Sequence, residues 1–370
     1  MVPRAIVLCS LLLLLSANAR AAAPPAGDAG EKKTSLLTKI WDRTELGMLW
    51  YLSYGHGMAD DKRFNRVHVS RGYVTLKLKP VSWFQTRVTM DTHQDDEGDW
   101  KVRLKYLYGK FILPIETRVV TEPHIEAGIV QTPWFNFEEH VNNYRMEGTM
   151  FTERNQIMNS ADLGATVVTL LGRKLPREYQ ERVSSSYPGT WGSMALGVYN
   201  GGGYHAAEEN NDKVFEARVS LRPLGPFHPN LQLSYFVIQG KGNTKQTPDW
   251  RLHDVMLSYE HQYFVVTGQF ATGTGNQKGD RVDATTGESI DYWGGSGFAE
   301  LKLPWIRSTL IGRYDYFDWD DGATSRIIAG YAFHFLPHNF VLLSLDHLTH
   351  HDSHDPVDWQ VKLTLQVHYP

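Results

Sequence analysis

The thirteen residues before the C-terminal proline constrain the fold more than any other stretch of this chain. Residues 357–369 read V-D-W-Q-V-K-L-T-L-Q-V-H-Y. Val357, Trp359, Val361, Leu363, Leu365, Val367 and Tyr369 form an apolar row, and every residue between them is polar. Strict period-2 alternation describes a strand with one greasy face and one wet face. Such a strand fits a barrel with lipid outside and water inside. It also fits a soluble sandwich, so the rest of the chain must decide.

The N-terminus places the chain in an export route. Arg4 precedes an apolar run over residues 5–15, and Ala17-Asn18-Ala19 opens a series of small-residue cleavage motifs. This pattern reads as a signal peptide over residues 1–23, too short to span a membrane as a helix. The only cysteine, Cys9, lies inside it, so the exported chain has no disulfide framework. Residues 24–43 read as a polar periplasmic segment with a short helix near 34–43, and residues 44–370 as the folded unit.

Composition removes other classes. The chain has 37 Lys+Arg and 41 Asp+Glu; without Arg4 and Arg20, 35 bases face 41 acids, a net charge of −6. A nucleic-acid binder would be basic. No run of about 18 uncharged apolar residues follows the signal, so no spanning helix is expected. The mean hydropathy of −0.37 is still compatible with a membrane barrel, because only alternate residues face lipid.

From residue 44 onward the chain is a succession of strand-length segments. Sixteen are expected: 45–54, 66–79, 83–92, 100–111, 122–131, 161–171, 191–200, 213–222, 230–239, 251–259, 262–271, 294–303, 306–317, 325–335, 340–348 and 357–369. Tight turns at Lys79-Pro80-Val81-Ser82, Pro304-Trp305 and Leu336-Pro337-His338-Asn339 belong to one rim. Long polar loops at 55–65, 92–99, 132–160, 200–212, 240–250, 272–293, 318–324 and 349–356 belong to the other. Residues 172–190 break this parity: they are either an elaborated turn or a sign that the count is off by a hairpin. The expected fold is all-β, a transmembrane antiparallel β-barrel. In hydrocarbon every backbone group must be paired, and only a closed sheet has no edge. Sixteen strands leave a water-filled lumen.

The pleat sorts side chains between lipid and lumen. Trp100, Val102 and Leu104 face out, and Lys101, Arg103 and Lys105 face in. Likewise Arg87 and Asp91 face in on the third strand, and Lys77 and Lys79 on the second. Later strands add Arg218, Arg222, Lys302, Arg307, Arg313, Arg326 and Lys362. The clearest inward acids are Asp91, Glu216, Glu300, Asp315, Asp346 and Asp358. Rings of charged side chains can set ion selectivity, so the bases are expected to form a cationic ladder favouring anions. A merely polar lumen with both signs scattered is the alternative. The loop 132–160 is rich in aromatic residues and Met, which need somewhere to bury. Folding into the barrel would narrow the pore there, with Glu138, Glu139, Arg145, Glu147, Glu153 and Arg154 setting local charge; an outer cap is the other reading.

Two stretches carry a resemblance to a known family. Gly197-Val198-Tyr199-Asn200-Gly201-Gly202-Gly203-Tyr204, followed by Glu208, Asn210, Asn211, Lys213 and Ala217-Arg218-Val219, resembles the strand–loop–strand motif of the phosphate-selective porin O/P family. Arg71-Gly72-Tyr73 and the basic strands over 74–105 are similar in layout. The resemblance implies a sixteen-stranded, homotrimeric passive channel in a Gram-negative outer membrane, with the third loop folded inward. Two departures stand out. The third loop holds only Arg145 and Arg154 and no lysine, against the lysines and dense arginine ladder of phosphate channels; and Tyr369 is followed by Pro370 where such strands end on an aromatic.

Other chemistry has weaker signals. His347, His350, His351 and His354 lie beside Asp352 and Asp355, and these residue types ligate Zn, Cu or Ni; a solvated loop is the simpler reading. Asp318, Asp320, Asp321 and Gly322 lack the rest of a calcium loop. No G-x-S-x-G or C-x-x-C-H occurs, so neither an enzyme nor a bound cofactor is expected. The expected function is an outer-membrane porin, a passive general-diffusion or mildly anion-preferring channel for small hydrophilic solutes or ions. The alternatives are a barrel sheathing a partner protein and an outer-membrane enzyme.

Overall fold

The computed structural model describes residues 42–95, 97–320, 322–351 and 357–369. The signal peptide and the helix expected near residues 34–43 therefore lie almost wholly outside the described residues.

Sixteen strands are present. They are β1 (Thr44–Ala59), β2 (Lys62–Val81), β3 (Phe84–Gln94), β4 (Trp100–Ile112), β5 (Val120–Gln131) and β6 (Ala161–Leu171). Next come β7 (Gly192–Tyr199), β8 (Val214–Leu221), β9 (Leu231–Lys241), β10 (Asp249–Glu260) and β11 (Phe264–Thr274). The last are β12 (Asp291–Leu303), β13 (Ser308–Trp319), β14 (Gly322–Leu336), β15 (Asn339–His350) and β16 (Asp358–Tyr369). Each pairs antiparallel with the next, and β1 closes the barrel on β16, from Met48↔Tyr369 to Met58↔Trp359. Closure leaves no unpaired sheet edge.

The alternation read in the last strand is realised in its burial. Lys362, Thr364 and Gln366 are buried, whereas Val361, Leu363 and Tyr369 are exposed. β10 does the same, with Trp250, Leu252, Asp254 and Met256 buried and Val255 and Leu257 exposed. An exposed apolar outer wall around a polar and aromatic inner one is the inverse of a soluble sandwich.

In β2 and β4 the alternation is broken by β-bulges. Tyr51 pairs with Arg71 and Leu52 with Val69, so Ser70 is an extra residue in β2. Thr89 pairs with Tyr106 and Met90 with Leu104, so Lys105 is an extra residue in β4. A bulge shifts the pleat by one residue. Arg71 and Tyr73 therefore follow His68 on the inner face of β2, and Lys105 and Tyr106 are both buried on β4.

The rims differ from expectation in two places and decide between two expectations in a third. Residues 55–65 are not a loop: β1 and β2 run on to a tight turn at Asp60-Asp61, both with positive φ. Residues 318–324 shrink in the same way, because β13 and β14 extend into them. Residues 172–190 are an elaborated turn between β6 and β7, so the strand count stands. We call the rim bearing residues 132–160 the upper rim and the opposite one the lower rim.

Candidate functional site

The longest connection, residues 132–160 between β5 and β6, contains helix α1 (Phe135–Val141) and a helical turn, α2 (Phe151–Arg154). Trp134, Phe135, Phe137, Met146, Met150 and Phe151 are buried. Their partners are inner-face residues of β9 to β15. Trp134 stacks on Phe236 with centroids 5.3 Å apart, Tyr144 meets Phe340 at 5.5 Å, and Phe151 meets Phe317 edge-on at 5.8 Å. This packing accounts for an aromatic content that would be out of place in a solvated loop.

Polar anchors fix the same segment. Arg218 of β8 is fully buried; it donates to the Pro133 carbonyl at 3.1 Å and to the Ser193 and Ser220 hydroxyls. Lys362 of β16 donates to the Met146 and Glu147 carbonyls at 2.9 and 3.1 Å. Arg313 of β13 bonds Asp315 at 2.8 Å, lies 3.6 Å from Glu147, and donates to the Thr149 carbonyl at 3.3 Å. Arg154 reaches Asp315 at 3.3 Å. Its path requires Gly148, which has φ +156°; a Cβ there would lie 2.2 Å from an Arg154 terminal nitrogen. At the far end the Asn159 N–H donates to Gln277 Oε1 at 2.6 Å, tying the segment to the β11–β12 loop.

The wall made by β2, β3 and β4 is different. Among the described residues, Arg71, Arg87 and Lys105 have no carboxylate within ion-pair distance. They meet hydroxyls and rings instead. Lys105 Nζ donates to the Tyr73 hydroxyl at 2.8 Å, and Arg71 donates to the same oxygen. Arg87 lies 4.5 Å over the Tyr106 ring and donates to Thr89 at 3.0 Å. Tyr204, from the glycine-rich connection after β7, lies 5.2 Å from the Arg103 guanidinium and 5.8 Å from Lys105 Nζ. Cation–π contact holds a cation without cancelling its charge. From the segment, Arg145 and Glu153 lie within electrostatic reach of Lys105. Arg145 pairs with Glu139 and, at 2.9 Å, with Glu153.

Burial also acts on the segment's carboxyls. It pushes Glu138 up to about 8, reinforced by the Asp254 charge. Glu147 is raised by burial against the opposing pull of Arg313 and Arg154. Burial works to raise Glu153, but Arg145, Lys105 and Arg71 together hold it below the usual range. Beside the basic wall, a cavity of about 400 Å³ toward the lower rim is lined by Lys77, Arg87, Lys110, Glu126 and His140, among others.

The nine cations expected to line the pore thus fall into three groups and one exception. Arg87 and Lys105, on the β2–β4 wall, make no ion pair among the described residues. Lys77, Lys101 and Arg103 are on that wall too but paired, with Glu45, Asp95 and Asp91. Arg218, Arg313 and Lys362 anchor the segment. Arg307 falls in the turn between β12 and β13, exposed and in a left-handed conformation, rather than on a strand. Arg71 and Tyr73 were legible only through a family motif, and the inward acids Glu126 and Asp254 were missed. The upper-rim histidines divide: His350 lies 3.9 Å from Asp358, whereas His351 bonds Ser325 and packs on Tyr316; residues 352–356 lie outside the described residues.

No protein-family model matches the chain, and no curated protein matches it in sequence. Solved structures do. An anion-selective porin from Comamonas acidovorans superimposes with a TM-score of 0.59 at 9% identity, over 88% of this chain and 99% of that one. The outer membrane channel DcaP of Acinetobacter baumannii gives 0.55 at 10% identity, over 88% and 97%. OmpT, an outer membrane protein of Vibrio cholerae folded in vitro, in a trimer form, gives 0.54 at 10% identity, over 89% and 100%. The chain has the closed sixteen-stranded barrel fold found in the porins.

Proposed function

We propose that the protein is an outer-membrane porin, a passive channel for small hydrophilic solutes with a preference for anions. One observation carries this reading: the lumen has one wall packed against residues 132–160 and another whose Arg71, Arg87 and Lys105 make no ion pair with a carboxylate among the described residues. On this reading the segment folds inward as the constriction, and solutes pass between it and the β2–β4 wall. Arg71, Arg87 and Lys105 lower the barrier for anions there, while the paired Lys77, Lys101 and Arg103 contribute less. Charges in a narrow, partly dehydrated passage act more strongly than in bulk water. Selectivity for phosphate is not part of the proposal, because the segment's own arginines are spent on Glu139, Glu153 and Asp315. A homotrimer embedded in outer-membrane lipid is proposed from the fold.

The sheath reading needs a wide lumen, and the many contacts between residues 132–160 and the inner wall speak against it. Single-channel recording of the refolded protein in planar bilayers tests the proposal. Discrete conducting steps are expected; a correctly folded barrel that never conducts would overturn it.

A further inference from the structure

We propose that Tyr204 sets the size limit at the upper entrance to the passage along the β2–β4 wall, admitting compact anions and holding back bulky organic ones. The assignment rests on the porin reading above. Tyr204 belongs to the connection between β7 and β8, yet its ring lies 5.2 Å from the Arg103 guanidinium and 5.8 Å from Lys105 Nζ, both on β4. β5 and β6 stand between β4 and β7 in the wall. At about 4.8 Å per strand step, the reach is roughly 14 Å. The connection therefore leans across the inner face of the barrel to bring this side chain to β4.

The ring stands out within its own stretch. Gly201, Gly202 and Gly203 before it are buried, residues 205–209 after it are exposed, and Tyr204 itself is half-buried. Its position is fixed from both sides. The Gly201 N–H donates to Asp162 Oδ2 of β6 at 2.8 Å, and the Asn200 N–H to the Leu163 carbonyl at 2.9 Å. On the far side, Asn243 of the β9–β10 connection accepts from the Glu209 N–H at 2.9 Å and donates to the Ala207 carbonyl at 2.8 Å. Asn210 Nδ2 donates to the Gly242 carbonyl at 3.0 Å. The turn at residues 204–205 is the short span between these clamps.

The same turn touches the end of the packed segment. Gly203 has φ +82°, and a Cβ there would lie 2.7 Å from Asn159 Nδ2. Asn159 is itself held by its N–H bond to Gln277. The backbone of the turn thus closes against residues 132–160 while its tyrosine lies against the β2–β4 wall, so one residue and its neighbour bridge both borders of the passage. The ring is uncharged. It adds bulk without altering the sign of the field around it, and cation–π contact keeps it over the bases. A chloride ion needs little room beside the ring, whereas a larger organic anion must displace it.

The test compares single-channel conductance and the gluconate-to-chloride permeability ratio of the refolded protein in planar bilayers. Tyr204→Ala should raise both, the ratio by about twofold or more, while the circular dichroism of the barrel is unchanged. Tyr204→Phe keeps the ring and should retain the native values. Tyr204→Trp should lower the ratio. A Tyr204→Ala channel with native conductance and native ratio would overturn the assignment, and so would a Tyr204→Phe channel as open as Tyr204→Ala. A native barrel that never conducts would remove the porin reading and this assignment with it; a conducting native barrel matched by Tyr204→Ala would remove the assignment alone.

Discussion

The two halves of the inner wall use the same residue types for opposite ends. On the β8–β16 side, Arg218, Arg313 and Lys362 are buried and spend their hydrogen bonds on carbonyls and carboxylates that hold residues 132–160 in place. On the β2–β4 side, Arg71, Arg87 and Lys105 rest on tyrosines and make no ion pair among the described residues. A basic residue facing a lumen is thus not yet a selectivity residue. What matters is whether its hydrogen bonds are spent on residues 132–160, as those of Arg218 and Lys362 are even without a carboxylate partner among the described residues.

This contrast can be broken from the packed side first. Arg313→Gln leaves Asp315 and Glu147 without their central cation, and breaking a buried pair of this kind costs about 3–5 kcal/mol. Thermal unfolding of the refolded barrel should drop accordingly, with noisier single-channel currents as the segment loosens. Gly148→Ala is expected to cost about 1–3 kcal/mol through strain at a positive φ, and to displace Arg154 from Asp315. The same assays read it. On the open side, Arg87→Gln should change stability by no more than about 0.5 kcal/mol, yet reduce anion preference measurably. Equal stability losses for Arg87→Gln and Arg313→Gln would erase the distinction between the walls.

The smallest effect is in pH. Glu138 has its carboxyl raised by burial, so the docked segment holds it protonated. Docking is undisturbed below the ordinary glutamate range near 4.5 and is progressively penalised as pH rises toward about 8. Current noise should therefore increase between about pH 5 and pH 8 in the native protein and stay flat in Glu138→Gln. A flat profile in both would remove Glu138 from the docking energetics.

The barrel was legible because lipid on one side and water on the other force a period-2 code, and β16 follows it without a break. The strand ends were less so. Residues 55–65 carry Gly, His and charges that read as loop, yet β1 and β2 stay paired to Asp60-Asp61 because strand pairing beyond the lipid needs no apolar face. The basic wall was half legible. Lys77, Arg87, Lys101, Arg103 and Lys105 were found by counting alternate residues. Arg71 and Tyr73 lie in the same inward phase as Lys77 but before the stretch that was counted, and the bulge at Ser70 hides that His68 shares their face. Ion pairing was legible only where it is local, as for Arg313 with Asp315 two residues on. The contacts of Arg313 with Glu147 and Thr149, and of Lys362 with Met146 and Glu147, join residues far apart in the chain.

The central claim is that Arg71, Arg87 and Lys105 of the β2–β4 wall set ion preference. It is tested most directly by the reversal potential across a KCl gradient, for the native protein and for the Arg71→Gln/Arg87→Gln/Lys105→Gln variant. The native potential should favour chloride, and the triple variant should lose that preference while still conducting. A native potential favouring potassium, or a triple variant with an unchanged chloride preference, would contradict it.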